Sequence, residues 1–176
     1  GAPMYIELVK YPDVFLRSTS NTVPFPLDEK TKRLIKWMQK AMYQHQGIGL
    51  AAIQVGYQLR MFVMDVNRAA DNPKVFINPE IIKKSTESIT DFEGCLSAPG
   101  KQGEVKRYIR ITLKYQDEEG EEIVKTFYNL AARCIQHEMD HLEGKLCIDY
   151  EKGNYSRDKH KSQTMVESDF RTKSDT

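Results

Sequence analysis

The segment from Leu130 to Leu142 places two histidines on the side of a helix that should face the protein interior. Leu130 and Cys134, followed by His137 and His141, recur at the three- and four-residue intervals of one helical face. A charged helix with two surface histidines is the simpler alternative, but it is weak because the histidines continue the apolar face. The chain should therefore fold around a buried helix that carries both imidazoles.

The five residues from His137 to His141 have the pattern HExxH. Side chains four residues apart lie on the same helical face, so both imidazoles can reach one metal ion. Glu138 lies about 100° around the helix from His137, close enough to hydrogen-bond a metal-bound water. This spacing also occurs by chance, so by itself it is a moderately specific indication of a metal site.

Two histidines need a third protein ligand to form a catalytic tetrahedral site with one open position. The other histidines of the chain are His45 and His160. Cys95 is a further candidate, because it follows Gly94, where another backbone can approach closely. For an isolated cysteine, however, a buried structural role would be the better interpretation.

A loop rich in glycine and alanine runs from Gly47 to Gly56 and reads GIGLAAIQVG. Its small residues allow another backbone to lie alongside, and Gln54 is an uncharged hydrogen-bond donor in an otherwise apolar segment. The loop is not a phosphate-binding loop, because no lysine follows the glycines. Taken alone, it is better interpreted as a helix end followed by a strand.

The remaining segments predict a mixture of helix and strand. Asp28 is a good N-cap for an amphipathic helix over residues 29–45, which Gly47 should end. Polar and apolar residues alternate over residues 105–116, which predicts one strand with a wet face. The other predicted features are an extended segment at 5–16, buried strands at 59–66 and 75–82, a hairpin turn at 117–120, its return strand at 121–128, and a helix end at Gly144. The order of these elements predicts an α+β fold.

Composition limits the classes of protein that this chain can be. The 176 residues carry a formal net charge of +1, which gives no electrostatic basis for binding nucleic acid. No apolar run approaches the ~20 residues of a membrane span, and no signal peptide is visible. The three cysteines are too few for a disulfide framework and favour a reducing compartment. We expect one domain over residues 1–150, followed by a polar tail or short helix over 151–176.

Together, the three motifs GIGLAAIQ, EGCLS and QHEMDH resemble, completely and in the same order, the signature motifs of the peptide deformylase family. The resemblance extends over residues ~5–150. It implies an α+β fold with mixed, mainly antiparallel β-sheets around a central helix that carries HExxH. It also implies metal-dependent hydrolysis of the formyl group from the N-terminal formylmethionine of new polypeptides, with release of formate.

The resemblance assigns roles to individual residues. It implies that Cys95, His137 and His141 bind one divalent metal ion per chain, commonly Fe(II), with Zn, Ni or Co as possible occupants. The donor set agrees with a borderline-soft divalent ion but does not choose among these metals. Glu138 would act as general base and acid. Three groups would stabilise the oxyanion: the metal, the Gln54 amide and the Leu96 backbone N–H.

The same resemblance implies where a peptide would bind. The peptide should pair as an extra strand against backbone groups of Ile48, Gly49 and Gly94. Its methionine side chain should enter an apolar pocket. A further residue, which is not itself a metal ligand, should orient a buried carboxylate of the site. The pocket residues would be Ile48, Leu130, Cys134 and the stem of Arg133, and Arg107 would orient a buried carboxylate, either Glu93 or Asp140.

Two other classes remain open at this stage. A zincin-type endopeptidase would share HExxH but would not explain EGCLS or the Gln54 loop. A non-catalytic metal-binding module would need a fourth protein ligand, whereas three are evident. For a deformylase, the expected partners are N-formylmethionyl peptides on nascent chains, near the ribosome, and hydroxamate-type inhibitors, with no nucleic acid or membrane. The expected location is the bacterial cytoplasm, or an organelle stroma or matrix if a presequence was removed.

Overall fold

A computed structural model describes residues 4–67 and 72–150 and the backbone of Met165–Val166. Within these residues one α-helix precedes seven β-strands, a second α-helix and a short eighth strand follow, and three short 3₁₀ turns lie among them. The helices are α1 (Glu29–Gln44) and α2 (Asn129–Leu142), and the strands are β1 (Gly49–Ala51), β2 (Met61–Met64), β3 (Lys74–Lys84), β4 (Ser88–Gly94), β5 (Gln102–Tyr108), β6 (Arg110–Gln116), β7 (Glu122–Tyr128) and β8 (Met165–Val166).

The strands form two sheets. The larger has five strands in the order β1-β2-β3-β6-β7, and every neighbouring pair is antiparallel. The smaller has the order β5-β4-β8, in which β4 and β5 are antiparallel and β8 runs parallel to β4. This arrangement confirms the predicted α+β fold with mainly antiparallel sheets.

Strand β2 is buried on both faces, which explains why its sequence is a continuous apolar run. Met61 and Val63 belong to the core cluster formed with α1. Phe62 and Met64 belong to the second cluster, formed with α2. A strand covered on both sides has no wet face and therefore shows no alternation.

Helix α1 begins as predicted and ends slightly earlier than expected. The Asp28 carboxylate accepts the backbone N–H of Thr31 at 2.8 Å, as an N-cap should. The left-handed residue after the helix is Gln46, at φ 59°, rather than the predicted Gly47. The Gly47 N–H instead bonds back to the Met42 carbonyl at 2.8 Å, which completes the helix end.

The predicted strand over residues 105–116 is in fact two strands in different sheets. Buried residues occupy odd positions on both sides of the junction, at 103, 105 and 107 and again at 111, 113 and 115, so the sequence pattern conceals the break. At the junction, the Ile109 N–H bonds to the Glu87 carbonyl at 3.2 Å and the Ile109 carbonyl accepts the Asn129 N–H at 2.8 Å. These bonds move the chain from the β4–β5 sheet to the sheet that contains β6.

Three further predictions have definite outcomes. The hairpin of β6 and β7 is confirmed, with the ladder running from Arg110 opposite Tyr128 to Gln116 opposite Glu122. Gly144 follows α2 at φ 75°, as expected for a helix end. The segment 5–16, predicted to be extended, includes the start of a 3₁₀ turn, Val14–Arg17.

The predicted tail at 151–176 lies outside the described residues, apart from the backbone of Met165–Val166. Within residues 4–67 and 72–150, neither helix is long and apolar enough to cross a membrane.

Candidate active site

Helix α2 carries three polar side chains into the interior. His137, Glu138 and His141 are all buried, and the two imidazole centroids lie 5.1 Å apart. The helix lies against β1 and β2 on one side and β5 on another, so this face cannot reach solvent. The sequence interpretation of the histidines as core-facing is confirmed.

Cys95 follows strand β4 and completes a cluster with both histidines. Its Sγ lies 3.4 Å from His141 Nε2, and one ligand atom from each of Cys95, His137 and His141 lies within 4.8 Å of the others. Metal–sulfur and metal–nitrogen bonds of ~2.3 and ~2.0–2.1 Å in a tetrahedral site place sulfur and nitrogen roughly 3.5 Å apart. The donor set and its spacing therefore fit one divalent metal ion.

The second nitrogen of His137 has a defined partner. His137 Nδ1 lies 2.9 Å from Glu93 Oε1, so this carboxylate can accept a hydrogen bond from Nδ1–H. The unprotonated Nε2 is then left to face the cluster. Burial alone would raise the pKa of the Glu93 carboxyl, but hydrogen bonds from Arg107 and His137 outweigh it and lower the pKa to about 2. Glu93 is therefore a carboxylate at neutral pH.

Arg107 contacts both carboxylates that the sequence offered as its partners. It donates to the two Glu93 oxygens at 2.8 and 2.9 Å and to Asp140 Oδ2 at 2.8 Å. Burial acts to lower the pKa of Arg107, but Glu93 and Asp140 together raise it above its ordinary value. Asp140 also accepts the Tyr150 hydroxyl at 2.7 Å.

Gln54 lies beside the thiol with its amide held in one orientation. Its Oε1 accepts the Ala51 backbone N–H at 2.9 Å, which turns its Nε2 toward Cys95 Sγ at 3.8 Å and Ser97 Oγ at 3.1 Å. Leu96 lies between these two residues in sequence, and its side chain packs in the core. The amide and the start of the Leu96 backbone therefore lie next to the metal-ligand cluster.

Gly49 lets strand β1 approach the helix closely. A Cβ at this position would lie 2.7 Å from Glu138 Oε2 and 2.7 Å from Cys134 Sγ, which is too close for any side chain. The neighbouring Ile48 carbonyl accepts the Cys134 thiol at 3.8 Å. The glycine of the loop is thus required because the backbone packs directly against Glu138.

The predicted pocket residues are divided between two places. Ile48 and Cys134 are fully buried in the core cluster of α2. Leu130 and Arg133 line a cavity of about 160 Å³, together with Ile89, Asp91 and other residues. The pocket itself stays a prediction.

The peptide-binding edges also have definite positions. Strand β1 is the edge strand of the larger sheet, and Gly94 ends β4 in the smaller one. Strand β8 pairs with β4 at this point, with Met165 opposite Glu93 and Val166 opposite Gly94.

Two of the contacts that the sequence reasoning missed at this site involve Cys147 and Ser97. Cys147 Sγ donates to the Glu93 carbonyl at 3.4 Å, and Ser97 bonds the Gln54 amide. Ser97 stands inside the EGCLS motif, which was the available signal. Cys147 had no local signal, because its contact depends on the turn after α2 packing under β5.

This site contains one thiolate ligand, two imidazole ligands, a buried carboxylate and an oriented amide, set between two mainly antiparallel sheets. That combination defines a metal-dependent hydrolase with a single metal centre. A family profile described as polypeptide deformylase matches residues 5–157. The chain therefore belongs to the peptide deformylase family.

Individual relatives agree with the family profile. The peptide deformylase of Pseudoalteromonas translucida is 43% identical over 145 residues, which is 82% of this chain and 86% of that protein. The peptide deformylase of Thermotoga maritima is 40% identical, with a TM-score of 0.79 over 86% of this chain and 100% of that one. The Synechococcus elongatus enzyme in complex with actinonin is 36% identical, with a TM-score of 0.80 over 88% of this chain and 82% of that one. The predicted deformylase function is confirmed, and the endopeptidase and metal-module alternatives are set aside.

Proposed function

We propose that Cys95, His137 and His141 bind one divalent ion and that Fe(II) is the native metal, with Zn, Ni or Co able to replace it. The observation that carries the proposal is the convergence of these three donors within 4.8 Å of one another, beside the Gln54 amide. A thiolate with two imidazoles suits a borderline-soft metal. When bound, such an ion supplies Lewis-acid activation of water and of the carbonyl under attack.

Glu138 acts as the proton carrier of the reaction. Its carboxylate is fully buried and packed against the Gly49 backbone, so it is held beside the ligand cluster. It accepts a proton from the attacking water and delivers it to the amine that leaves. The Gln54 Nε2–H and the Leu96 backbone N–H donate to the oxyanion that forms on the formyl carbonyl.

The peptide binds as an added strand between β1 and β4, against Ile48, Gly49 and Gly94. Its formylated amino terminus must lie at the ligand cluster, so the chain runs away from Cys95, antiparallel to β4. Strand β8 pairs with β4 at Glu93 and Gly94, so the peptide has to compete with it for this edge.

The first side chain, methionine, enters an apolar pocket bordered by Ile48, Leu130, Cys134 and the aliphatic part of Arg133. An unbranched apolar side chain suits such a pocket, and each missing methylene should cost ~1–3 kcal/mol in kcat/KM. The natural partners are formylmethionyl nascent chains, in the bacterial cytoplasm or in an organelle. Because a structural neighbour from Synechococcus elongatus binds actinonin, we also expect metal-chelating inhibitors of the hydroxamate type to bind here.

The roles of Glu138 and Gln54 are tested by kinetics together with metal analysis. Glu138→Ala should keep a full equivalent of metal and lose ~10²–10⁴-fold in kcat, because the general base is missing. Gln54→Ala should keep the metal and lose ~10²–10³-fold, because one oxyanion donor is missing. Glu80→Ala and Gln116→Ala, which change the same residue types in β3 and β6, serve as controls and should retain normal kcat. Normal turnover in either site variant would remove that residue from the mechanism.

A further inference from the structure

Arg133 and His137 lie one turn apart on α2, and both reach the same carboxylate. His137 Nδ1 lies 2.9 Å from Glu93 Oε1, and Arg133 Nη1 donates to Glu93 Oε2 at 2.6 Å. Residues four apart share a helical face, so the Arg133 and His137 side chains extend from α2 side by side toward Glu93 on β4. The sequence analysis expected only the aliphatic stem of Arg133 to contribute, as part of a substrate pocket. In the structure its guanidinium also binds Glu93.

The Glu93 carboxylate is saturated with donors. Oε1 faces His137 Nδ1 and Arg107 Nη2, and Oε2 faces Arg107 Nε and Arg133 Nη1. An ionised carboxylate offers about four acceptor positions, so all of them are used here. Two guanidinium groups are balanced by two carboxylates, Glu93 and Asp140, and the buried cluster has no excess charge when His137 is neutral.

The Arg133 guanidinium is also fixed by two backbone carbonyls. Nη1 donates to the Val105 carbonyl at 3.1 Å, and Nη2 donates to the Ile89 carbonyl at 2.6 Å. These acceptors belong to β5 and β4, so one side chain joins α2 to two neighbouring strands of the smaller sheet. Such a group cannot swing toward a substrate without breaking charge-assisted hydrogen bonds, which are stronger than neutral ones.

The two arginines hold Glu93 to different elements. Arg107 reaches it from β5, which is already paired with β4 along its length, and it bonds α2 only in the last turn of the helix, through Asp140. Arg133 reaches it from α2, the helix that carries the two histidine ligands. Loss of Arg133 would therefore leave the His137 contact as the side-chain bond from α2 to this carboxylate among the described residues.

We infer that Arg133 is a positioning residue for the metal site: it holds Glu93 at a fixed distance from α2, and Glu93 in turn orients the His137 imidazole. The inference rests on the proposed role of His137 as a ligand. A partner that orients a ligating imidazole typically contributes 10- to 100-fold in metal affinity. Arg133 acts one contact further away, so the expected effect is near the lower end, at about tenfold.

The test is the affinity for Zn(II), measured by competition with a chelator, in the full chain. Arg133→Met keeps the aliphatic stem and removes the donors, and it should weaken Zn(II) binding by about tenfold. Arg133→Lys restores a charge and one donor, and it should recover part of the loss. Arg60→Met is the matched control. Arg60 also donates to a carboxylate, that of Glu143, and to two backbone carbonyls, those of Ser20 and Leu142, but it does not bond Glu93. This substitution should lower thermal stability and leave Zn(II) affinity unchanged.

A double-mutant cycle shows whether Arg133 acts through Glu93. In Glu93→Gln the second substitution, Arg133→Met, should cost little further affinity, because the group that it positions is already impaired. Fully additive losses would overturn the inference. So would unchanged Zn(II) affinity in Arg133→Met together with an altered preference for the first side chain, since that result makes Arg133 a pocket wall only.

The experiment also distinguishes two other outcomes: misfolding of Arg133→Met and a wrong assignment of the metal ligands. If Arg133→Met does not fold, the same cycle is run with Arg133→Lys, whose loss should likewise vanish in the Glu93→Gln background. If Cys95→Ser binds Zn(II) as tightly as the parent, the ligand assignment itself is wrong, whatever the Arg133 variants show.

Discussion

Replacing Gly49 by alanine tests whether the backbone of β1 positions the catalytic carboxylate. The added Cβ would lie 2.7 Å from Glu138 Oε2, about 0.7 Å short of ordinary contact. Glu138 is fully buried on a packed helix, so its carboxylate has no open space to enter. Either β1 or the carboxylate must shift by several tenths of an ångström, and overpacking of this kind costs ~1–3 kcal/mol.

We expect this shift to affect turnover more than folding. A displacement of about 1 Å at a reacting group can cost ~10²-fold in rate, so Gly49→Ala should lose roughly 10- to 100-fold in kcat. Metal content should stay at the parent level, because the ligands do not touch the new methyl group. The assay is formate release from a formyl-Met tripeptide, with metal analysis and thermal unfolding on the same sample.

Two controls separate the position of Glu138 from general damage. Gly120→Ala places a methyl group in a hairpin turn at φ +85°, against Phe25, so it should destabilise the fold without lowering kcat. Adding Cys134→Ala to Gly49→Ala removes the sulfur contact but keeps the carboxylate contact, so stability should improve while kcat stays low. Parent-level kcat in Gly49→Ala would refute the reasoning.

Two further predictions concern the metal and the peptide edge. Cys95→Ser should abolish metal binding or weaken it greatly. Cys147→Ser should keep a full equivalent on metal analysis, because a serine hydroxyl can still donate to the Glu93 carbonyl. Equal metal affinity in both variants would contradict the site. Val166→Pro cannot donate a backbone hydrogen bond, so β8 should leave β4, and KM for a formyl-Met tripeptide should fall several-fold with kcat unchanged. Ser174→Pro is the matched control, and the same KM in both would show that β8 does not compete with substrate.

The sequence was sufficient where a local pattern determines the structure. The spacing of His137 and His141 on an apolar face predicted a buried helix, and β2 was predicted from its continuous apolar run, which has that form because both of its faces are covered. Asp28 predicted the start of α1 because an N-cap needs only the following turn. Cys95 was identified as the third ligand through the resemblance of EGCLS to the family motif, because the residues alone favoured a buried structural cysteine.

Long-range contacts were not predictable in the same way. The chain changes sheets at Ile109, but odd-numbered residues are the buried ones in both strands, so the pattern of residues gives no sign of the break. The bond from Arg133 to Glu93 spans 40 residues and depends on how α2 packs on β4, which no local pattern records. The contact of Cys147 with Glu93 depends in the same way on the turn after α2.

The most direct test of the account compares formyl-Met and acetyl-Met tripeptides of otherwise identical sequence with the metal-loaded protein. In the proposed complex the carbonyl carbon lies where the ligand cluster, the Gln54 amide and the Leu96 N–H converge, and the extra methyl of an acetyl group would misplace it. Formyl-Met should therefore give kcat/KM higher by ~10² or more, and each turnover should release one formate. Comparable kcat/KM for the two peptides, or cleavage of internal peptide bonds at a similar rate, would contradict the proposed site.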